Sequence, residues 1–258
     1  MAALSKHVTL AITNQKGGVG KSTTAVNLSS ALGAAQKTVL LVDLDPQGNA
    51  TSGLGVDKLP DMLSVYDGLI NEVKVDELIR DTQTANVKVI PASIELAGAE
   101  PELATAIARE GRLKELLAPV RNDFDFIIID CPPSLGLLTI NALMAADSLL
   151  IPIQCEFYAL EGLSKLLDTM KLVKSRLNPE LSIFGVLLTM FDKRTTLSQQ
   201  VADEVRSFFG EETFEIAIPR SVKLAEAPSY GQAILEYAPS STGSIAYQAL
   251  AKEVIKRA

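Results

Sequence analysis

Residues Lys16 to Thr23 read KGGVGKST, between an apolar β-type run, Val8 to Thr13, and a helical pattern that begins near Ser22 and continues through Ala25, Leu28, Ala31 and Leu32. A glycine-rich turn from a buried strand into a helix predicts a nucleotide phosphate cradle made of Lys16, Gly17, Gly18, Val19, Gly20, Lys21, Ser22 and Thr23. The glycines accept positive φ, so backbone N–H groups converge on phosphate oxygens, and the helix N-terminus adds its positive dipole end. Lys21 is expected to bridge the β- and γ-phosphates and Ser22 to ligate Mg²⁺. The usual spacing puts a glycine where Gln15 stands, and a second lysine, Lys16, lies inside the loop. Two ammonium groups crowd one triphosphate already neutralised by Mg²⁺, so one of them is expected to serve a different nucleotide.

Carboxylates follow in the order such a site needs. Thr38 to Val42 (TVLLV) is a continuous apolar run suited to a parallel strand buried on both faces, and it delivers Asp43 and Asp45 to its C-terminal end. In an open α/β sheet, ligands bind at that end. Phe126 to Ile129 (FIII) is a second such strand, ending in Asp130. A carboxylate there can hold a Mg²⁺-bound water near the γ-phosphate, the role of a Walker-B element.

With its extra lysine the chain resembles the deviant Walker-A ATPases, whose signature lysine reaches across a dimer interface onto the partner's ATP; Lys16 matches that position. The blocks NQKGGVGKST, VDLDPQGNAT, DCPPS, TMFDKRTTLSQQV (Thr189 to Val201) and IPRSVKLAEAPSYG (Ile218 to Gly231) resemble the ParA/Soj family of chromosome and plasmid partition ATPases. The first three are shared with MinD-like regulators, and the last two are more specific to partition proteins. Many relatives carry Thr at Ser22, and both hydroxyls can ligate Mg²⁺.

The resemblance implies an ATP- and Mg²⁺-dependent homodimer that binds DNA non-specifically and is stimulated by a ParB-like partner, in the cytoplasm on the nucleoid, with no membrane contact. Lys16 and Asp45 are then the catalytic residues, Asp45 positioning the attacking water. Ser22, Asp43 and Asp130 form the metal set, and Pro219 joins the nucleotide-binding residues. Arg194 and Lys223 match basic positions used for DNA, beside Lys193 and Arg220; on the residues alone these are two scattered loop pairs.

Composition sets bounds. The chain has 258 residues, 47% of them apolar, which fits one α/β domain over 1–258. No apolar segment reaches the ~18 residues of a membrane helix, and MAALSKHVTL lacks the apolar core of a signal peptide. Two cysteines, Cys131 and Cys155, are too few for a disulfide framework. Cys131 lies beside the expected Mg²⁺ site, but with no Cys-x-x-Cys an iron–sulfur cluster is not expected. His7 reads as a surface residue without an acid–base partner. A net charge of −7 means that DNA attraction must come from a local basic patch.

Periodicity places strands near 8–13, 38–43, 87–91, 126–130, 148–152, 183–189 and 215–218. Helices are expected at 21–34, 62–70, 101–118, 135–145, 160–177, 197–209 and 243–257. This alternation predicts a doubly wound, mostly parallel sheet flanked by helices. Residues 44–61, rich in Gly, Pro, Asp and Asn, read as a nucleotide-sensing loop. The short stretch before the first strand leaves no room for an N-terminal DNA-binding domain, so the chain resembles the short, chromosomal type.

Two alternatives share this core. A MinD-like regulator needs a C-terminal amphipathic membrane helix, whereas STGSIAYQALAKEVIKRA has a mostly alanine apolar side without Phe or Trp and reads as a closing helix. An ATP-dependent amidoligase needs a further substrate pocket, for which no residue cluster is visible.

Overall fold

The apolar runs form the middle of one seven-stranded sheet in the computed structural model, which describes residues 7–59, 61–157 and 163–258. The strands are β1 (Val8–Ile12), β2 (Val39–Asp43), β3 (Arg80–Asp81), β4 (Val87–Ile90), β5 (Phe126–Asp130), β6 (Ser148–Gln154) and β7 (Ser182–Thr189). Their order is β3-β4-β2-β5-β1-β6-β7, parallel throughout except for the short β3. Every residue of β1, β2 and β5 is buried, as expected for parallel strands covered on both faces. Side chains alternate between two apolar layers: Leu40, Val42, Ile127 and Ile129 face one, and Val39, Leu41, Phe126 and Ile128 the other.

The helices are α1 (Lys21–Ala34), α2 (Asn49–Gly53), α3 (Val65–Ile70), α4 (Val75–Leu78), α5 (Ala99–Thr105), α6 (Arg112–Leu117), α7 (Leu137–Ala145), α8 (Leu163–Arg176), α9 (Thr196–Phe209), α10 (Val222–Glu226), α11 (Ile234–Tyr237) and α12 (Thr242–Arg257). One layer holds α1, α11 and α12, with Leu28, Leu32, Ile234, Leu250 and Val254. Helices α3 to α9 supply the other, through Leu69, Leu78, Leu103, Leu113, Leu143, Leu166 and Val205. The chain leaves β1 through α1 toward β2 on one side and leaves β5 through α7 toward β6 on the other. Winding therefore reverses beside β1, which opens a crevice at the C-terminal strand ends.

Helix α12 packs on α1. Tyr247, Leu250 and Val254 are buried there, and Tyr247 shares a hydrogen bond of 3.2 Å with Thr24 of α1. Each such buried side chain contributes roughly 1.5–3 kcal/mol, so the apolar face of this helix is already committed to the sheet layer. Among the described residues no helix is long and apolar enough to cross a membrane.

Several expectations are corrected. Residues 215–218 form no strand; isolated parallel bridges Val186↔Thr213 and Phe191↔Pro219 flank them, and the Glu215 N–H is diverted to Glu253 Oε1 of α12. The helix expected over 101–118 is two pieces, because Ala108 takes a positive φ and Asn141 of α7 accepts from Leu113 N–H and donates to the Arg109 carbonyl. The helix expected from 62 starts at Val65, where Ser64 and Asp67 form a capping box. The loop over 44–61 contains the short helix α2. Residues 160–162 of the expected helix 160–177, and residues 1–6, lie outside the described residues. His7 is not a free surface residue: Arg121 Nε donates to its Nε2, and Asp147 lies 3.9 Å away. Burial and then Arg121 hold its pKa below the ordinary value.

Candidate nucleotide site and basic patch

The loop from Gly17 to Gly20 turns sharply between β1 and α1. Gly18 has φ +75° and Gly20 φ +90°, the left-handed region that a side chain disfavours, and Gly20 is the N-cap of α1. That geometry presents the first N–H groups of a 14-residue helix to the crevice. Gly17, Gly18, Gly20, Lys21, Ser22 and Thr23 line a cavity of 350 Å³, with Asp45 and Pro133 opposite. An adjoining cavity of 220 Å³ is lined by Thr189, Met190, Pro219 and Tyr247, so the sequence-distant Pro219 does reach the phosphate loop. A wider groove of 720 Å³ lies at the other end of β2 and β4, around Thr38 and Asn86, away from these residues.

The two lysines point to different places. Lys21 is buried, and its Nζ donates to the Lys16 carbonyl at 3.2 Å; burial lowers its pKa while Asp130 opposes that. Lys16 is anchored by its N–H to Asn14 Oδ1, and its Nζ reaches Glu156 Oε1 just beyond β6 at 2.5 Å. Val19 is buried, and its carbonyl accepts from Thr189 Oγ1, tying the loop to β7.

Strand register brings the carboxylates together. Asp43 of β2 pairs with Asp130 of β5, and Asp130 in turn with Ile12 of β1. Asp130 is completely buried, and among the described residues neither of its oxygens has a hydrogen-bond partner. Burial, and then the Asp43 charge, push its pKa well up; Ser22 lies close enough to draw it back without meeting hydrogen-bond geometry. A buried carboxylate with two orphaned oxygens facing a hydroxyl fits the hydrated shell of a hard cation, which supplies the missing donors and the opposite charge. Among the described residues no three His, Cys, Asp or Glu side chains cluster to hold a metal by themselves. Such a site suits Mg²⁺ completed by water and phosphate.

Asp43, expected in the metal set with Ser22 and Asp130, differs from Asp130 in that both of its oxygens already have donors from its own loop. Its Oδ1 accepts from Asp45 N–H at 3.1 Å, and its Oδ2 accepts from both the N–H and the hydroxyl of Thr51, at 2.8 and 2.7 Å. Burial still pushes its carboxyl up to about 6. Asp45 is also buried, with Gln47 N–H donating to its Oδ1 at 3.0 Å. Cys131 is buried and its thiol pKa is raised by that burial, which leaves it inert.

The two basic loop pairs meet in space. Phe191 N–H donates to the Ile218 carbonyl and Arg220 N–H to the Phe191 carbonyl, so Lys193 and Arg194 sit beside Arg220, with Lys223 following on α10. All four side chains are exposed. Arg194 is held by Asp192 through two bonds of 2.9 and 2.8 Å, and Lys223 by Glu226 at 2.9 Å with the Tyr237 ring beneath it. These carboxylates went unread in the sequence, although Asp192 is two residues from Arg194 and Lys223 and Glu226 have the i,i+3 spacing of a helical pair. Glu156, 140 residues from Lys16, gives no such signal.

A family profile described as an AAA domain matches residues 7–183. The chain is 58% identical to the sporulation initiation inhibitor protein Soj of Bacillus subtilis, over 95% of this chain and 97% of that one. It is 52% identical to the chromosome partitioning protein ParA of Myxococcus xanthus, over 96% and 88%. A Mycobacterium smegmatis structure described as cobyrinic acid a,c-diamide synthase with bound ADP and magnesium superposes with a TM-score of 0.85 at 39% identity, covering 97% of this chain and 95% of that one. The fold is thus shared with a protein described as a synthase, and the two partition proteins stand apart from it by their higher identity, 58% and 52% against 39%. With a lysine-bearing phosphate loop, an orphaned strand-end carboxylate and this similarity, the chain belongs to the ParA/Soj family of chromosome-partitioning ATPases.

Proposed function

We propose that residues 1–258 act as one ATPase domain that works as an ATP-driven dimerisation switch on DNA. The observation that carries this reading is the opposite orientation of the two loop lysines above Ser22 and Asp130: Lys21 turns into the cradle, and Lys16 turns outward to Glu156. Gly17 to Thr23 bind the phosphates, and Pro219 borders the remainder of the nucleotide. Ser22 and Asp130 hold Mg²⁺, which when bound offsets phosphate charge. Asp43 supports this set from the loop side.

Two subunits then face each other, and Lys16 of each leaves Glu156 for the other's phosphates. Asp45 orients the water for in-line attack. Catalysis then rests on positioning the water more than on strong base chemistry, and intrinsic turnover is slow. A ParB-like partner accelerates it.

Lys193, Arg194, Arg220 and Lys223 contact backbone phosphates and read no base sequence. In a protein of net charge −7 one small patch binds weakly, and a dimer that presents two binds well. ATP thereby gates attachment to the nucleoid in the cytoplasm. The commitment of α12 to α1 favours this over a membrane-bound reading. Gel retardation of duplex DNA with ATP, ADP or no nucleotide tests the proposal: retardation with ATP alone is expected, and equal retardation in all three would refute the gate.

A further inference from the structure

We infer that Thr51 is a positioning residue for hydrolysis, acting through Asp43 on Asp45; the inference rests on the reading of Asp45 as the group that orients the attacking water. Thr51 lies in α2, completely buried. Its hydroxyl uses both of its capacities: it donates to Asp43 Oδ2 at 2.7 Å and accepts from Ala92 N–H, beyond β4, at 3.0 Å. The Thr51 N–H adds a second bond to the same Oδ2, while the other oxygen of Asp43 accepts from Asp45 N–H.

These bonds close the loop between Asp43 and Thr51 into a ring pinned at both ends on one carboxylate of β2. Asp45 stands inside that ring, and Gly48 N–H donating to its carbonyl at 2.8 Å holds the far side. Thr51 also fastens the ring to the neighbouring strand end through Ala92. The main chain of Asp45 is therefore set by Asp43, and Asp43 is set by Thr51. None of these groups needs to touch nucleotide for its loss to displace the Asp45 carboxylate.

Buried polar groups that lose a partner relax by moving, and a displacement of about 1 Å at a reacting group can cost on the order of 100-fold in rate. Thr51→Val keeps the branched shape and removes both hydroxyl bonds. Thr51→Ser keeps both bonds and removes only the methyl group. Asp43→Asn keeps the shape and removes a buried charge beside Asp130, and its amide NH₂ deprives either Asp45 N–H or the Thr51 donors of an acceptor.

The experiment measures kcat, KM, ATP affinity and Mg²⁺ half-saturation for the full chain carrying Thr51→Val, Thr51→Ser, Asp43→Asn or Asp45→Ala. Thr51→Val and Asp43→Asn are expected to lower kcat by ~10- to 100-fold, with KM, ATP affinity and Mg²⁺ half-saturation within about twofold of the parent. Thr51→Ser is expected to turn over normally. If Thr51→Val does not fold, Thr51→Ala, which lacks the same hydroxyl, carries the test against Thr51→Ser. Normal kcat in Asp43→Asn, or a defect in Thr51→Ser equal to that in Thr51→Val, overturns the inference. A raised Mg²⁺ requirement in Asp43→Asn also overturns it, by making Asp43 a metal ligand. Unimpaired turnover in Asp45→Ala overturns both this inference and the reading beneath it, whereas a defect in Asp45→Ala alone removes only the role of Thr51.

Discussion

Lys16 and Glu156 form an ion pair within one chain, Nζ 2.5 Å from Oε1, with each side chain 38% exposed. A pair this open to water contributes about 0–1 kcal/mol, so a partner's triphosphate can draw the ammonium away at little cost. Lys16→Ala is accordingly expected to keep its thermal stability and its ATP affinity. It should fail to dimerise with ATP in light scattering, because the group lost served the other subunit. Dimers of normal strength would remove the cross-subunit role of Lys16.

Lys21 stands in contrast, buried and with its Nζ donating to the Lys16 carbonyl. Its ammonium is desolvated in advance of ligand, an arrangement that strengthens its contact with an anion. Hydrogen bonds to charged groups contribute about 1.5–3 kcal/mol, so Lys21→Ala is expected to weaken ATP binding by ~10- to 150-fold in calorimetry. The nucleotide-free protein should melt no lower than the parent, because the substitution also removes a buried charge.

Asp130 couples the site to folding. Its carboxyl pKa is raised by burial above the ordinary value of 3.8, so the stability this group contributes is present below that value and is lost as the pH rises. Asp130→Asn is therefore expected to stabilise the nucleotide-free protein at pH 8 by roughly 1–3 kcal/mol, which a higher melting temperature reports. The gap should close as the pH is lowered toward 4. Added Mg²⁺ and ATP should stabilise the parent and leave the variant nearly unchanged. A variant less stable than the parent at pH 8 would show that Asp130 is paired in the free chain.

What the sequence made legible follows the range of the interactions involved. Buried strands announce themselves through runs such as Val39–Val42 and Phe126–Ile129, and α1 through a glycine turn and a helical period, because each is specified by neighbours in the chain. The break at Ala106–Gly111 depends on Asn141, and the loss of a strand at 215–218 depends on Glu253, so no local pattern reveals either. The phosphate cradle was readable for the same reason as α1. The joining of Arg194 to Arg220 required the bridge between Phe191 and Pro219, and the employment of Asp43 required Thr51, eight residues on.

The cations of the basic patch are not equally available. Asp192 holds Arg194 by two bonds, and Arg194 keeps the Asp192 carboxyl down at about 2, so both remain charged throughout the neutral range. A DNA phosphate must compete with that carboxylate for the guanidinium. Asp192→Asn is therefore expected to tighten the ATP-bound protein on duplex DNA several-fold. Arg194→Ala should weaken binding with little dependence on sequence and make the log–log salt slope shallower by about 2, one contact being lost from each subunit of a dimer. A slope shallower by about 1 would mean that a monomer binds, even if affinity fell as expected. Unchanged affinity in both variants would place the phosphate contacts on Lys193, Arg220 and Lys223 without Arg194.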